Sequence, residues 1–155
     1  VNTYGRLYTW FAATDTRNLC PTGWRLPSKD EWKTFEDYLI ANGYNYDGTT
    51  SGNKIAKALA SNTLWLVSST VGAPGNTDYP LKINISGFTG LPSGVRNPSG
   101  LFGNILYHDS WWSYSEDPSK LSWAYYRQLF FDNIYSEYMS HDKMFGRSVR
   151  CLKDY

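Results

Sequence analysis

Histidine and cysteine are scarce in this chain of 155 residues, with two of each. No His-Glu-x-x-His, Gly-x-Ser-x-Gly or Cys-x-x-Cys occurs, which removes the usual signatures of metalloprotease, serine hydrolase and dithiol chemistry. His108 and His141 stand alone, far apart in the chain, and a lone histidine is more often solvated or hydrogen-bonded than catalytic. Neither charge is in excess: 15 basic residues face 14 acidic ones, and no basic stripe occurs. Phosphate backbones are held by clustered Lys and Arg, so nucleic acid is not expected as a partner. No apolar run approaches the roughly 20 residues of a membrane-spanning helix. Internal repeats and low-complexity tracts are missing too.

Aromatic residues are abundant. They make up 17% of the chain, with 7 Trp and 13 Tyr. So many Tyr exceed the needs of a core, because each buried hydroxyl requires a partner. The surplus suits a recognition surface for sugars or other amphipathic ligands. At this length one domain is expected over residues 1–155, burying roughly 70% of the surface of the unfolded chain. The chain begins at Val1 without Met or a signal sequence, which reads as a mature fragment or an excised domain. Cys20 and Cys151 fit either one disulfide formed in an oxidising compartment or two free buried thiols.

In chain order, Val1–Ala13 reads as strand, with Tyr4, Leu7, Tyr8, Trp10 and Phe11. Pro21-Thr22-Gly23 is turn chemistry, and Trp24 to Leu26 a short buried strand. Ser28-Lys29-Asp30-Glu31 is a capping box opening a helix. Trp32, Phe35, Tyr38 and Leu39 fall on one face of that helix, and Asn42-Gly43 ends it. A second helix is expected over Ser51–Ser61, with Trp65 packing against it. Val67 to Gly103 holds most of the prolines and glycines and reads as a long irregular region. Its glycines lack a following Gly-Lys-Ser/Thr, so they read as turns rather than a phosphate loop. Trp111–Glu116, Ser122–Phe131, Ile134–Met139 and Phe145–Leu152 are four strand candidates joined by turns. The second is apolar on both faces and is expected at the sheet centre.

Six ordered blocks carry a resemblance. They are Gly5-Arg-Leu-Tyr-Thr-Trp10, Cys20-Pro-x-Gly-Trp-Arg-Leu-Pro27 with Glu31-Trp32, Gly87-Phe-x-x-Leu-Pro-x-Gly94 with Arg96-Asn97, Trp111-Trp112-Ser-x-Ser-Glu116, Ala124-x-Tyr126-Arg127-x-Leu129, and Gly146-x-Ser-Val-Arg-Cys151. Together they resemble the Fibrobacter succinogenes major paralogous domain, a family abundant in Bacteroidetes. That family is similar to the C-type lectin fold and, more distantly, to the formylglycine-generating (sulfatase-modifying) enzymes. The resemblance implies an α+β, C-type-lectin-like domain: two helices, a small antiparallel sheet, a long irregular loop region and adjacent termini. It implies display outside the cell or on the bacterial surface, as an outer-membrane lipoprotein or one module of a larger surface protein. With the ends side by side, Cys20 and Cys151 are expected to be bonded. Closing so long a loop stabilises the fold by up to about 5 kcal/mol in the chain-entropy view.

The resemblance also bears on chemistry. The sulfatase-modifying enzymes use a cysteine pair in their C-terminal half, and Cys151 is the only cysteine after Cys20 here, so no catalytic activity is expected. Asp109, Glu116, Asp117, Asp132, Glu137 and Asp142 could offer oxygens to calcium. Sugar-binding C-type lectins, however, carry Glu-Pro-Asn or Gln-Pro-Asp together with Trp-Asn-Asp. This chain has Glu116-Asp117-Pro118-Ser119 and no Trp-Asn-Asp. The acids therefore read as solvated loop residues, and calcium is disfavoured as a cofactor. A ligand site is expected on the C-terminal hairpins, at Tyr114, Glu116, Tyr135, Glu137, Tyr138, His141 and Asp142, taking a glycan or a surface protein. Trp112, Trp123 and Tyr125 are expected in the core. The second reading of the chain is a structural or adhesive module of a cell-envelope assembly without a small-molecule ligand.

Overall fold

The computed structural model describes residues 3–154 and shows a small α+β domain. Its principal sheet is antiparallel, with β4 (His108–Glu116), β5 (Trp123–Phe130) and β6 (Glu137–Asp142) in the order β4-β5-β6. The apolar strand β5 is central, as its two apolar faces predict. Side chains alternate along a strand, so the neighbours Trp111 and Trp112 enter different cores. Trp111 and Leu129 pack with Trp32, Leu39, Ile55 and Leu59. Trp112, Ala124 and Tyr126 pack with Trp10, Ala13 and Leu26.

Helix α2 (Lys29–Ala41) forms as its capping box dictates. The Ser28 hydroxyl accepts from the Glu31 amide at 3.2 Å, and the Glu31 carboxylate accepts from the Ser28 amide at 2.9 Å. Asn42 caps its end, and Gly43 takes the left-handed backbone, φ 75°, that favours glycine there. The buried face differs from the expected one. Tyr38 is 59% exposed, and Glu36 is buried between Trp32 and Leu39 because Arg127 on β5 pairs with it.

Cys20 and Cys151 are joined, with Cα atoms 5.8 Å apart. Beside them β1 (Trp24–Arg25) pairs antiparallel with β7 (Leu152–Lys153). The two distant stretches thus meet, although Trp24 is 39% exposed and only Leu26 of that segment is buried.

Three elements depart from the sequence reading. Strand structure over Val1–Ala13 reduces, within the described residues, to a bridge between Tyr8 and Arg147. Trp10–Ala13 is a helical turn, α1, because the Thr9 hydroxyl caps the Ala12 amide and the Trp10 indole reaches the Ser113 carbonyl at 2.9 Å. The second helix shrinks to α3 (Ala56–Leu59). Residues 49–54 instead wrap the buried Asn45, whose amide donates to the Thr49 and Gly52 carbonyls and whose oxygen accepts from the Lys54 amide. The last strand candidate is mostly isolated bridges, from Gly146 to Arg96 and from Ser148 to Trp111. The long irregular region contains only β2 (Val95–Arg96), paired with β3 (Phe102–Gly103).

Candidate functional site

The seven expected site residues are divided by strand alternation. On β6, Tyr138 and Asp142 project to one face of the sheet, and Glu137 and His141 to the other. Tyr138 stacks on Tyr125 with ring centroids 4.7 Å apart, and the Arg127 guanidinium lies 4.6 Å from its centroid. The Lys29 ammonium sits 4.6 Å from the Tyr125 centroid and 4.9 Å from that of Tyr138. Burial raises the Tyr138 phenol's pKa. His141 is held between Trp123, stacked at 5.1 Å, and the edge of Phe145 at 4.4 Å. Burial, followed by the charge of Arg147, lowers its pKa.

Glu137 accepts from Gln128 at 2.6 Å and from Asn133 at 3.0 Å, and Gln128 in turn meets His108 at 3.2 Å. Asp142 caps the Met144 amide at 2.8 Å. Tyr114, Glu116 and Tyr135 reach solvent, with Glu116 paired to Lys143 at 3.1 Å. Tyr114 sits where β4 leaves register with β5: residues 113–115 turn away to contact the start of α2, and the Tyr114 amide donates to the Pro27 carbonyl. Of the three residues expected in the core, Trp112 is fully buried, whereas Trp123 and Tyr125 are half-buried.

The long loop forms a cleft that the sequence reading did not resolve into residues. Its volume is about 340 Å³, and Trp65, Leu64, Asn62, Thr63, Asn76 and Thr77 contribute to its walls. The floor is pinned by Lys57, which is 1% exposed on α3. Its ammonium donates to the Asn76 and Asp78 carbonyls at 2.6 and 2.7 Å and pairs with the Asp78 carboxylate at 2.8 Å. A buried charge must be paired or solvated by fixed dipoles, so Lys57 locks the loop in place. Gly75 ties the cleft to the β5–β6 turn. Its amide donates to the Phe131 carbonyl at 2.7 Å, and a Cβ there would clash with the Leu66 carbonyl oxygen. Leu64 has φ 76°, a left-handed conformation costly for a side chain of its size. The Pro- and Gly-rich composition is the signal for this region, but the pinning lysine follows no local pattern.

Burial also corrects the reading of the acids as solvated. Asp109 is 2% exposed and Asp117 7%. Asp109 Oδ1 accepts from the Ser93 hydroxyl at 2.7 Å, the Ser110 amide at 2.8 Å and the Ser148 hydroxyl at 3.2 Å. Burial, opposed by these bonds, pushes its pKa up to about 7. Asp109 stands on the floor of a cavity of about 320 Å³, beneath Tyr4, Arg6, Tyr8 and Arg150. Its immediate sequence context, within a strand beside Trp111-Trp112, is the signal for burial. Asp117 Oδ2 accepts from Ser140. Among the described residues no three of His, Cys, Asp or Glu gather closely enough to share a metal ion, and no helix is long and apolar enough to cross a membrane.

The family model described as the Fibrobacter succinogenes major domain matches residues 1–153. No curated protein and no solved structure matches the chain.

Proposed function

The chain belongs to the Fibrobacter succinogenes major domain family, and from that premise we propose a non-catalytic binding domain that recognises a glycan through its long loop and C-terminal hairpins. The observation that carries this reading is the long-loop cleft. It sets the Trp65 indole among the amide and hydroxyl side chains of Asn62, Thr63, Asn76 and Thr77, on a floor fixed by Lys57. A flat aromatic group flanked by oriented polar groups is the chemistry sugar rings require, and a rigid wall limits the entropy lost on binding. The cleft adjoins the β5–β6 turn through Gly75 and Phe131, and Tyr135 is 44% exposed in that turn.

The small antiparallel sheet, the long irregular region and the paired ends support a C-type-lectin-like arrangement. The disulfide supports a secreted or cell-surface setting, where such bonds persist, including an outer-membrane lipoprotein or a module of a larger surface protein. Screening the oxidised domain on a glycan array, with calcium and again with chelator, tests the reading. Binding is expected in both conditions and at least tenfold weaker in Asn62→Ala and Trp65→Ala. Binding only with calcium would mean an acidic metal-dependent site instead.

A structural or adhesive role is the second reading, favoured by the exposed apolar residues on and around β3. Leu101 is 68% exposed, Phe102 75%, Ile105 50% and Tyr107 49%. Silence on the array in both conditions would favour it.

A further inference from the structure

We propose that the cavity over Asp109 is a separate site for an anionic sugar unit of the uronic acid type. It shares no wall residue with the long-loop cleft, so it stands whether or not that cleft binds a glycan. The three hydrogen bonds to Asp109 fall on Oδ1, from Ser93, Ser110 and Ser148. Oδ2 accepts none among the described residues, although the side chain lines the cavity. That oxygen is open toward the cavity, and a ligand hydroxyl can donate to it in place of water.

The walls add the opposite charge. Arg6 is exposed and makes no ion pair among the described residues. The Arg150 guanidinium donates to the Phe88 carbonyl at 2.9 Å and lies 4.5 Å from the Phe88 ring centroid; among the described residues no carboxylate is bonded to it, although the charge of Asp109 attracts it. Tyr4 and Tyr8 also line the cavity.

Two simpler ligand classes fit poorly. The two guanidiniums repel an amine or metal cation, and the open oxygen of Asp109 offers nothing to a bare anion. A ligand bearing hydroxyls and a carboxylate on one ring meets both demands. Its hydroxyls donate to Asp109 Oδ2, and its carboxylate receives the charge-assisted bonds that arginine gives best. The volume, about 320 Å³, lies at the lower end of small-molecule sites, roughly 300–1,000 Å³, and suits one ring rather than an oligosaccharide.

The experiment is an NMR titration of the oxidised domain with D-glucuronate, D-glucose and acetate. Glucuronate is expected to shift the amides of residues 4–8 and 148–150, with glucose and acetate each binding at least tenfold more weakly. Arg6→Ala, at an exposed position, is expected to weaken glucuronate at least fivefold with its melting temperature unchanged. Asp109→Asn should weaken it further, while Trp65→Ala leaves it unchanged. Equal affinity for glucose and glucuronate would overturn the proposal, and so would equal affinity for acetate, no binding of glucuronate, or indifference to Arg6→Ala.

Discussion

The two faces of the β4–β5–β6 sheet each bury an arginine and solve the same problem differently. Under α2, Arg127 pairs with Glu36 at 2.8 Å, both side chains being under a tenth exposed. On the other face Arg147, 3% exposed, has no carboxylate bonded to it among the described residues. Its guanidinium donates to the Ser110 hydroxyl at 2.8 Å and lies 3.4 Å from the Tyr126 ring centroid, with Trp112 at 5.1 Å. Burial lowers the pKa of Arg127, while attraction to Glu36 opposes the fall. Arg147 falls to about 10, with Tyr126 opposing. The contrast shows that a buried guanidinium, weakly hydrated and planar, can be held by aromatic faces and one hydroxyl in place of an anion.

Breaking the paired face should have the largest effect. Glu36→Ala strands Arg127 and leaves Ser136 without its acceptor, so a loss of about 3–5 kcal/mol is expected, read by urea denaturation. Replacing Glu36 and Arg127 together with Leu and Met should recover most of it. A double mutant as unstable as Glu36→Ala would show that the pair acts through shape rather than charge. Reduction of Cys20–Cys151 bears on both faces at once, because it releases the β1–β7 clasp. It should cost about 2–5 kcal/mol without changing the gap between the Glu36 and Arg147 variants. Arg147→Met should be milder, within about 2 kcal/mol, since it removes a cation–π contact and a hydrogen bond but strands no charge. A loss as large as that of Glu36→Ala would erase the distinction between the faces.

What the sequence made legible follows the same divide between local and distant causes. The capping box of α2 is written in four consecutive residues, and the central place of β5 in its own doubly apolar run. Glu36 is buried because of Arg127, a residue far along the chain, so helical periodicity alone put Tyr38 on the inner face instead. The aromatic residues of β6 looked like one surface because composition carries no face. Alternation sends Tyr138 toward Tyr125 and Lys29 and turns His141 to the opposite face, where it meets Phe145 and the ring of Trp123 at the strand end. The Cys20–Cys151 bond became readable only through the family resemblance, which supplied the adjacency of the ends. Nothing near Lys57 in sequence foretells the loop it pins, since its partners Asn76 and Asp78 lie beyond an irregular segment.

The sharpest comparison rests on two adjacent residues. His108 and Asp109 project to opposite faces of β4 and shift in opposite directions. Burial, then the charge of Arg147, lowers His108 to about 4, whereas burial raises Asp109 to about 7. Unfolded, they titrate near 6.5 and 3.8. Between pH 4 and 6.5 the unfolded state holds the proton on His108 and the folded state does not, so this group makes stability rise with pH. Between pH 3.8 and 7 the folded state holds the proton on Asp109 and the unfolded state does not, so that group makes stability fall as pH rises. The two slopes oppose each other through the shared window. In His108→Gln the rising contribution is gone, and the melting temperature should decline from pH 4 to 7 more steeply than in the wild type. In Asp109→Asn the falling contribution is gone, and the melting temperature should climb from pH 4 to 6.5. Parallel profiles for the two variants would mean that the faces do not differ in how they treat a proton, and the contrast drawn from the two arginines would then be one of geometry alone.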